Sequence, residues 1–185
     1  PLPLRVRDTS TPQERQWLAA LAARGGIASA LRTSKLQGLG WSVGLLRRLH
    51  ALYRRERQVN IVHANWLQVA LPLGSHPAPL LVTVLGSDYA LLKLPGMTAA
   101  LRRVFAARPT VLCPNAEWMV EGLERRFGRQ AKVRHVPFGI DAGYFGVQRC
   151  LPDPPQWLCV SRVTRPKIGH LFDWGARHFA GTGRA

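Results

Sequence analysis

The chain is poor in cysteine, poor in acidic residues and free of long apolar runs. Its 185 residues include three cysteines, Cys113, Cys150 and Cys159, with no CxxC pair, which argues against a disulfide framework and a zinc ribbon. No apolar run approaches the roughly 18 residues that a membrane span needs. The first residues, Pro1 to Arg5, lack the apolar stretch and cleavage site of a signal peptide. We therefore expect a cytoplasmic protein with reduced thiols.

Basic residues dominate the charge. Lys and Arg number 26 and Asp and Glu number 10, so the formal net charge is +16. Most of the cations are arginines, which favours recognition of an anionic partner, although solvated basic helix faces would explain many of them. Between residues 61 and 100 the only charged residues are Asp88 and Lys93. This nearly uncharged segment predicts a buried core. The apolar content of 46% excludes a disordered chain.

Apolar strand-like runs alternate with amphipathic stretches along the chain. Leu80–Val84 is a continuous apolar run of the kind found in parallel sheets. The pattern predicts strands at 27–31, 59–63, 80–84, 110–113, 132–136 and 157–160, and helices at 13–24, 41–57, 98–107, 116–127 and 169–179. This alternation predicts an α/β fold, a Rossmann-like parallel sheet with helices on both faces. Residues 146–155 predict a linker between a first domain, 1–145, and the start of a second, 156–185.

Five motifs occur in a telling order. They are Ile61-Val62-His63-Ala64-Asn65-Trp66, Val82-Thr83-Val84-Leu85-Gly86-Ser87-Asp88, Cys113-Pro114-Asn115-Ala116-Glu117-Trp118-Met119, Val133-Arg134-His135-Val136-Pro137-Phe138-Gly139-Ile140-Asp141, and Trp157-Leu158-Cys159-Val160-Ser161-Arg162 leading to Lys167. In this order the chain resembles family-4 (group 1) glycosyltransferases of the GT-B fold. The resemblance implies two Rossmann-like domains, of which the first binds the acceptor and the second the nucleotide sugar.

The chain departs from this family at several places. The glycine-rich turn after the first strand is absent, and so is the pair of glutamates, separated by seven residues, that follows later in the donor domain. We expect from this a fragment, or a shortened and inactive relative. Leu85 stands where many relatives carry a histidine near the reacting sugar, and it cannot move protons. The catalytic residues therefore stay unassigned.

The resemblance assigns the donor diphosphate to Arg162 and Lys167, although Ile168 replaces the glycine that usually follows the lysine. Arg and Lys suit phosphate oxygens, and preformed cations stabilise a leaving diphosphate. Solvent-exposed bases at a helix start are the alternative. At the acceptor side the candidates are His63, Trp66, Gly86, Ser87, Asp88, Asn115, Glu117 and Gly139.

Structural roles compete with binding roles at several of these candidates. Asp88 and Asn115 are also typical helix caps, and His63 fits a partly buried strand position. Glu117 falls on a face with other glutamates that is expected to be solvated.

The implied reaction is transfer of a sugar from a nucleotide-sugar donor to a glycan, lipid-linked or small-molecule acceptor, with retained anomeric configuration. No cofactor or metal is expected. An anionic membrane surface is a candidate partner, with the basic 41–57 helix facing it at the inner side of the cell membrane. Two alternatives stay open: a non-catalytic remnant that binds a sugar or a partner protein, and a nucleic-acid-binding protein. The absence of zinc-finger spacing and of RNP-like aromatics disfavours nucleic acid.

Overall fold

The computed structural model describes residues 8–148, 150 and 168–179. The described residues up to Phe138 form one compact unit, and those from Gly139 form another. The first unit contains helices α1 (Pro12–Ala23), α2 (Gly26–Thr33), α3 (Lys35–Arg55), α4 (Gly86–Ala90), α5 (Met97–Ala106) and α6 (Val120–Phe127), and strands β1 (Val62–Asn65), β2 (Leu80–Val84), β3 (Thr110–Pro114) and β4 (Lys132–Val133). Three 3₁₀ turns cover Leu67–Leu73, Leu91–Lys93 and Glu117–Met119. The second unit contains a 3₁₀ turn at Ala142–Gly146 and helix α7 (Leu171–Phe179).

The four strands form one all-parallel sheet in the order β1-β2-β3-β4. The continuous apolar run at 80–84 is confirmed as a strand, and it lies between two neighbours, as its composition predicts. The coarser prediction, an α/β fold with a Rossmann-like parallel sheet flanked by helices, is confirmed.

The hydrophobic core lies against one face of the sheet. Ala64, Val82, Leu112 and Val133 are partners in one lateral row, so their side chains point to the same side. This row joins the buried side chains of the crossover segments in a single cluster, which includes Leu67, Leu73, Leu101, Phe105, Leu123 and Phe127. A sequential strand order with right-handed crossovers places successive connections on the same face, which explains this arrangement.

Helix α3 packs on the 3₁₀ turn that follows β1. The Tyr53 hydroxyl donates to the Val69 carbonyl at 2.9 Å, and a ring nitrogen of His50 lies 2.9 Å from the Pro72 carbonyl. Helix α1 in turn packs on α3 through Trp17, whose ring is 3.1 Å from the point where a Cβ at Gly44 would lie. A glycine at this position therefore permits the close approach of the two helices.

Three predicted element positions in the first part of the chain are corrected by the structure. Residues 27–31 are not a strand; they lie within α2, because this alanine-containing stretch packs as a helix on α3. Helix α3 begins at Lys35 rather than near residue 41. Ser34 caps this start, because its hydroxyl accepts the Gln37 backbone N–H at 3.4 Å. The strand predicted at 59–63 occurs at Val62–Asn65.

The helix start predicted at Thr11 is confirmed. The Thr11 hydroxyl accepts the Glu14 backbone N–H at 3.2 Å, and the Glu14 carboxylate accepts the Thr11 N–H at 2.7 Å. Among the helices that the structure describes, none combines the length and the apolar character that crossing a bilayer would require.

Candidate functional site

The carboxyl ends of β1, β2 and β3 meet at one edge of the sheet. Backbone bonds extend the strand pairing into the loops: the Trp66 N–H donates to the Thr83 carbonyl at 3.0 Å, and the Asn115 N–H donates to the Val84 carbonyl at 3.1 Å. In open parallel sheets ligands bind in the crevice outside these carboxyl ends. Most of the predicted acceptor-side residues follow these strands, so the structure brings them to one edge.

The side chain of Asp88 joins the loop after β1 to the loop after β2. Its side chain is 3% exposed. One carboxylate oxygen accepts the Leu67 N–H at 2.9 Å, at the start of the 3₁₀ turn after β1, and the other accepts the Leu85 N–H at 2.7 Å. Burial raises the pKa of Asp88 above its usual range, although these two backbone bonds oppose the rise. Asp88 is therefore a buried positioning residue, and its carboxylate is not presented to a ligand.

Trp66 follows β1 with an unusual backbone conformation. It is the one non-glycine residue of the described chain with a positive φ, 96°. This region is strained for an L side chain by roughly 1–3 kcal/mol. The N–H of the next residue, Leu67, donates to the Asp88 carboxylate, and this hydrogen bond fixes the turn that contains Trp66. Trp66 is 47% exposed at the carboxyl edge of the sheet.

Gly86, Ser87 and Trp118 form a second exposed group. Gly86 and Ser87 are exposed at the start of α4. Trp118 is 64% exposed, and its ring lies 3.9 Å from the point where a Cβ at Gly86 would lie. The Tyr89 ring supports Trp118 edge-on, with 5.2 Å between the ring centroids. Trp118 is not among the candidates that the sequence predicts; its place in the Cys113–Met119 motif, shortly after a strand, was the available signal.

Asn115 and Glu117 belong to the loop after β3. The predicted capping role of Asn115 is wrong, because the 3₁₀ turn begins at Glu117 and α6 only at Val120, and neither start receives a side-chain cap. The half-buried Asn115 amide makes no hydrogen bond to another described residue, so its donors and acceptor remain available. Glu117 is exposed. Both side chains can contact a ligand at this edge.

His63 occupies a different position from the one predicted. The sequence pattern predicts it at the end of its strand, but β1 continues to Asn65. A ring nitrogen of His63 lies 2.8 Å from the Thr83 hydroxyl, across the β1–β2 pair. This contact is on the face of the sheet opposite the hydrophobic core. His63 therefore lies within strand β1, and Trp66 rather than His63 lies at the carboxyl ends of the strands.

The remaining candidates are Gly139, Arg162 and Lys167. Gly139 begins the second unit. Arg162 and Lys167, predicted to hold the donor diphosphate, lie outside the described residues. Among the residues that the structure does describe, no group of three or more His, Cys, Asp or Glu side chains could hold a metal ion.

The exposed groups at the edge suit a neutral, hydroxyl-rich ligand. Two indoles offer apolar faces, while the Asn115 amide and the Ser87 hydroxyl offer directional hydrogen bonds. Asp88, the one carboxyl here with a raised pKa, is occupied by backbone donors. The edge thus offers groups that can bind and orient such a ligand.

Comparison with known proteins gives no relative: no family model, no curated protein and no solved structure matches this chain.

Proposed function

We propose that the first unit is the acceptor-binding part of a glycosyltransferase that resembles family 4. The enzyme would transfer a sugar from a nucleotide-sugar donor to a hydroxyl group of a glycan, lipid-linked or small-molecule acceptor, with retention at the anomeric carbon. The observation that carries the proposal is that two exposed indoles, Trp66 and Trp118, and the Asn115 amide, which has no hydrogen-bond partner among the described residues, all follow strands at the carboxyl edge of a parallel sheet. The order of motifs along the chain supports it independently.

Each exposed group has a role in this proposal. Trp66 and Trp118 stack on the apolar faces of a sugar ring. Asn115 and Ser87 bind its hydroxyl groups, and the Glu117 carboxylate accepts a hydrogen bond from a further hydroxyl. Orienting an acceptor hydroxyl toward a donor supplies much of the advantage of an enzyme over the reaction in solution. Asp88 and Tyr89 serve indirectly, because they hold the turns that carry these side chains.

The donor side rests on the resemblance. Arg162 and Lys167 would bind the diphosphate of the nucleotide sugar and stabilise it as it leaves. The proposal requires no metal and no cofactor beyond the donor substrate.

The outer side of α3 supports an anionic membrane surface as a further partner. Leu36, Leu39 and Val43 recur at helical spacing and are 83%, 58% and 43% exposed. Arg47 and Arg54 continue the same exposed face, and no carboxylate of the described chain pairs with them. Such a face fits an anionic lipid surface, at about 1 kcal/mol for each basic residue near it. A cytoplasmic location at the inner face of the cell membrane would follow.

The α3 surface is tested by co-sedimentation with phosphatidylglycerol vesicles. Leu36→Gln with Leu39→Gln should reduce the bound fraction. A matched double variant at two exposed leucines that follow α4, Leu91→Gln with Leu94→Gln, should leave it unchanged. Equal binding of both variants would remove α3 from the proposal.

Acceptor binding is tested by saturation-transfer NMR with a panel of methyl and octyl glycosides. We expect saturation transfer to at least one glycoside, and its loss in Trp118→Leu and in Asn115→Ala. Trp174→Leu is the control, because this tryptophan is also exposed but belongs to α7 of the second unit. Its signal should match that of the unmodified protein.

Three results separate the proposal from its alternatives. Saturation transfer that survives Trp118→Leu and Asn115→Ala would move acceptor binding away from this edge. Saturation transfer without any sugar transfer would favour a sugar-binding remnant. Binding of duplex DNA at physiological salt, with no glycoside bound, would favour a nucleic-acid-binding protein.

A further inference from the structure

A cavity of about 380 Å³ opens where the end of α6 meets α5, and its wall is strongly basic. Arg102 comes from α5, Arg125 and Arg126 come from the last turn of α6, and Arg129 follows that helix. Glu124 is the one carboxylate of the lining. Four guanidinium groups therefore surround a small volume that holds a single negative side chain.

The position of the cavity separates it from the acceptor edge. Helix α6 begins beside Trp118, near the carboxyl ends of the strands, and runs back toward the opposite edge. The cavity lies at the far end of this helix. The sugar-transfer proposal makes no use of these arginines.

Two of the guanidinium groups are fixed by the backbone. Arg102 Nε donates to the Arg126 carbonyl at 2.7 Å. Arg126 donates to the Gly122 carbonyl at 2.8 Å, and its guanidinium lies 5.7 Å from the centre of the Tyr89 ring. Each retains further N–H donors after these bonds. The cations are thus oriented in advance, which lowers the entropy cost of binding a ligand.

Local pairing leaves an excess of positive charge. Arg125 pairs with the exposed Glu121 one turn earlier, and Arg129 has no hydrogen bond or ion pair to another described residue. The carboxyl end of a helix carries only about half a negative charge, so it compensates one cation at most. Within the part of the chain that the structure describes, the remaining charge has no partner.

The basic surface continues beyond Arg129. A neighbouring cavity of about 760 Å³ shares Glu124, Gly128, Arg129 and Gln130 with the first, and it adds Lys132 and Arg134. It contributes no further carboxylate. A ligand with two or more linked anionic groups can therefore contact cations in both cavities.

We propose that these two joined cavities form a binding site for ligands that carry linked phosphate groups. Guanidinium forks match phosphate oxygens in geometry and bind them with charge-assisted hydrogen bonds. A single carboxylate anion would use only part of this surface. The phosphate can belong to a free ligand, such as a diphosphate or polyphosphate, or to a lipid headgroup.

The test uses pyrophosphate as the probe, with sodium chloride at the same ionic strength as the reference. Pyrophosphate should raise the melting temperature of the unmodified protein above that in chloride. Arg129→Gln removes the arginine that has no partner among the described residues, so it should weaken pyrophosphate binding about tenfold in calorimetry without unfolding the protein. Arg103→Gln is the matched control, because it removes the same charge from an exposed position of α5 outside the cavities.

A second arm distinguishes the source of the phosphate. The same two variants are compared for binding to vesicles that contain phosphatidic acid. If Arg129→Gln alone binds pyrophosphate more weakly, the ligand is a free phosphate compound. If Arg129→Gln alone binds the vesicles more weakly and pyrophosphate binding is unchanged, the ligand is a lipid headgroup. Equal behaviour of Arg129→Gln and Arg103→Gln in both arms, or equal stabilisation by chloride, would overturn the proposal.

Discussion

Replacing Asp88 by asparagine removes one of the two acceptors that join the loops after β1 and β2. Both carboxylate oxygens are in use, one by the Leu67 N–H at 2.9 Å and one by the Leu85 N–H at 2.7 Å. An amide of the same shape offers one oxygen and one NH₂ group. One of the two backbone donors must then face another donor in a site where the side chain is only 3% exposed.

The expected magnitude follows from the number of donors left unpaired. A buried donor that loses its partner costs about 1–3 kcal/mol. Asp88→Asn should therefore lower the free energy of unfolding by about 1–3 kcal/mol. Asp88→Ala leaves both backbone donors without an acceptor and should lower it by about 2–6 kcal/mol. The asparagine value should fall toward the low end, because the neutral amide also avoids burial of a charge.

Urea denaturation of the purified protein measures both variants. Glu117→Gln is the control, because it neutralises an exposed carboxylate of the neighbouring loop, and it should change the free energy by less than about 0.5 kcal/mol. Near-zero loss for Asp88→Asn, or an equal loss for Asp88→Asn and Asp88→Ala, would refute the idea that two separate backbone bonds depend on this carboxylate.

Three further predictions concern pH, a close approach and a buried cation. The pKa of Asp88 in the folded protein is raised above 3.8, so the free energy of unfolding, compared with that of Asp88→Asn, should fall as the pH rises from 3.8 through the raised pKa. A difference between the two proteins that stays constant across this pH range in urea denaturation would contradict the prediction. Gly122→Ala places a Cβ against the Tyr89 hydroxyl, so it should cost about 1–3 kcal/mol and weaken the near-ultraviolet circular dichroism of the Tyr89–Trp118 pair; an unchanged spectrum would show that the ring does not move. Arg108 is 6% exposed, two of its nitrogens have no partner among the described residues, and burial lowers its pKa, so Arg108→Met should leave the melting temperature unchanged or raise it. A clear fall would show that the bond to the Gly74 carbonyl outweighs the buried charge.

Sequence reasoning succeeded where local composition decides the structure. Leu80–Val84 and Thr110–Pro114 are buried strands because continuous apolar and β-branched runs suit the interior of a parallel sheet. It failed at 27–31, where the same kind of short apolar run packs on α3 as a helix. A run of five residues does not by itself distinguish the two, since packing against the rest of the chain decides between them.

The candidate site was predicted in outline because the carboxyl ends of parallel strands share one edge. The role of Asp88 was only half predicted: its bond to the Leu85 N–H is local, but its bond to Leu67 joins residues 21 positions apart. Trp118 depends on its contact with Tyr89, which no spacing rule indicates. The exposed leucines of α3 were missed because the helix begins six residues earlier than the predicted start at Trp41, at Lys35.

Sugar transfer by the protein expressed from its natural gene tests the central claim most directly. The assay supplies UDP-glucose, UDP-N-acetylglucosamine and GDP-mannose with octyl glycosides as acceptors, and it measures release of the nucleoside diphosphate. We expect release from at least one donor, a fall of about 10²–10³-fold in the Arg162→Ala, Lys167→Ala double variant, and an unchanged rate in Arg103→Ala. Consumption of none of the donors, or an undiminished rate in the double variant, would contradict the account.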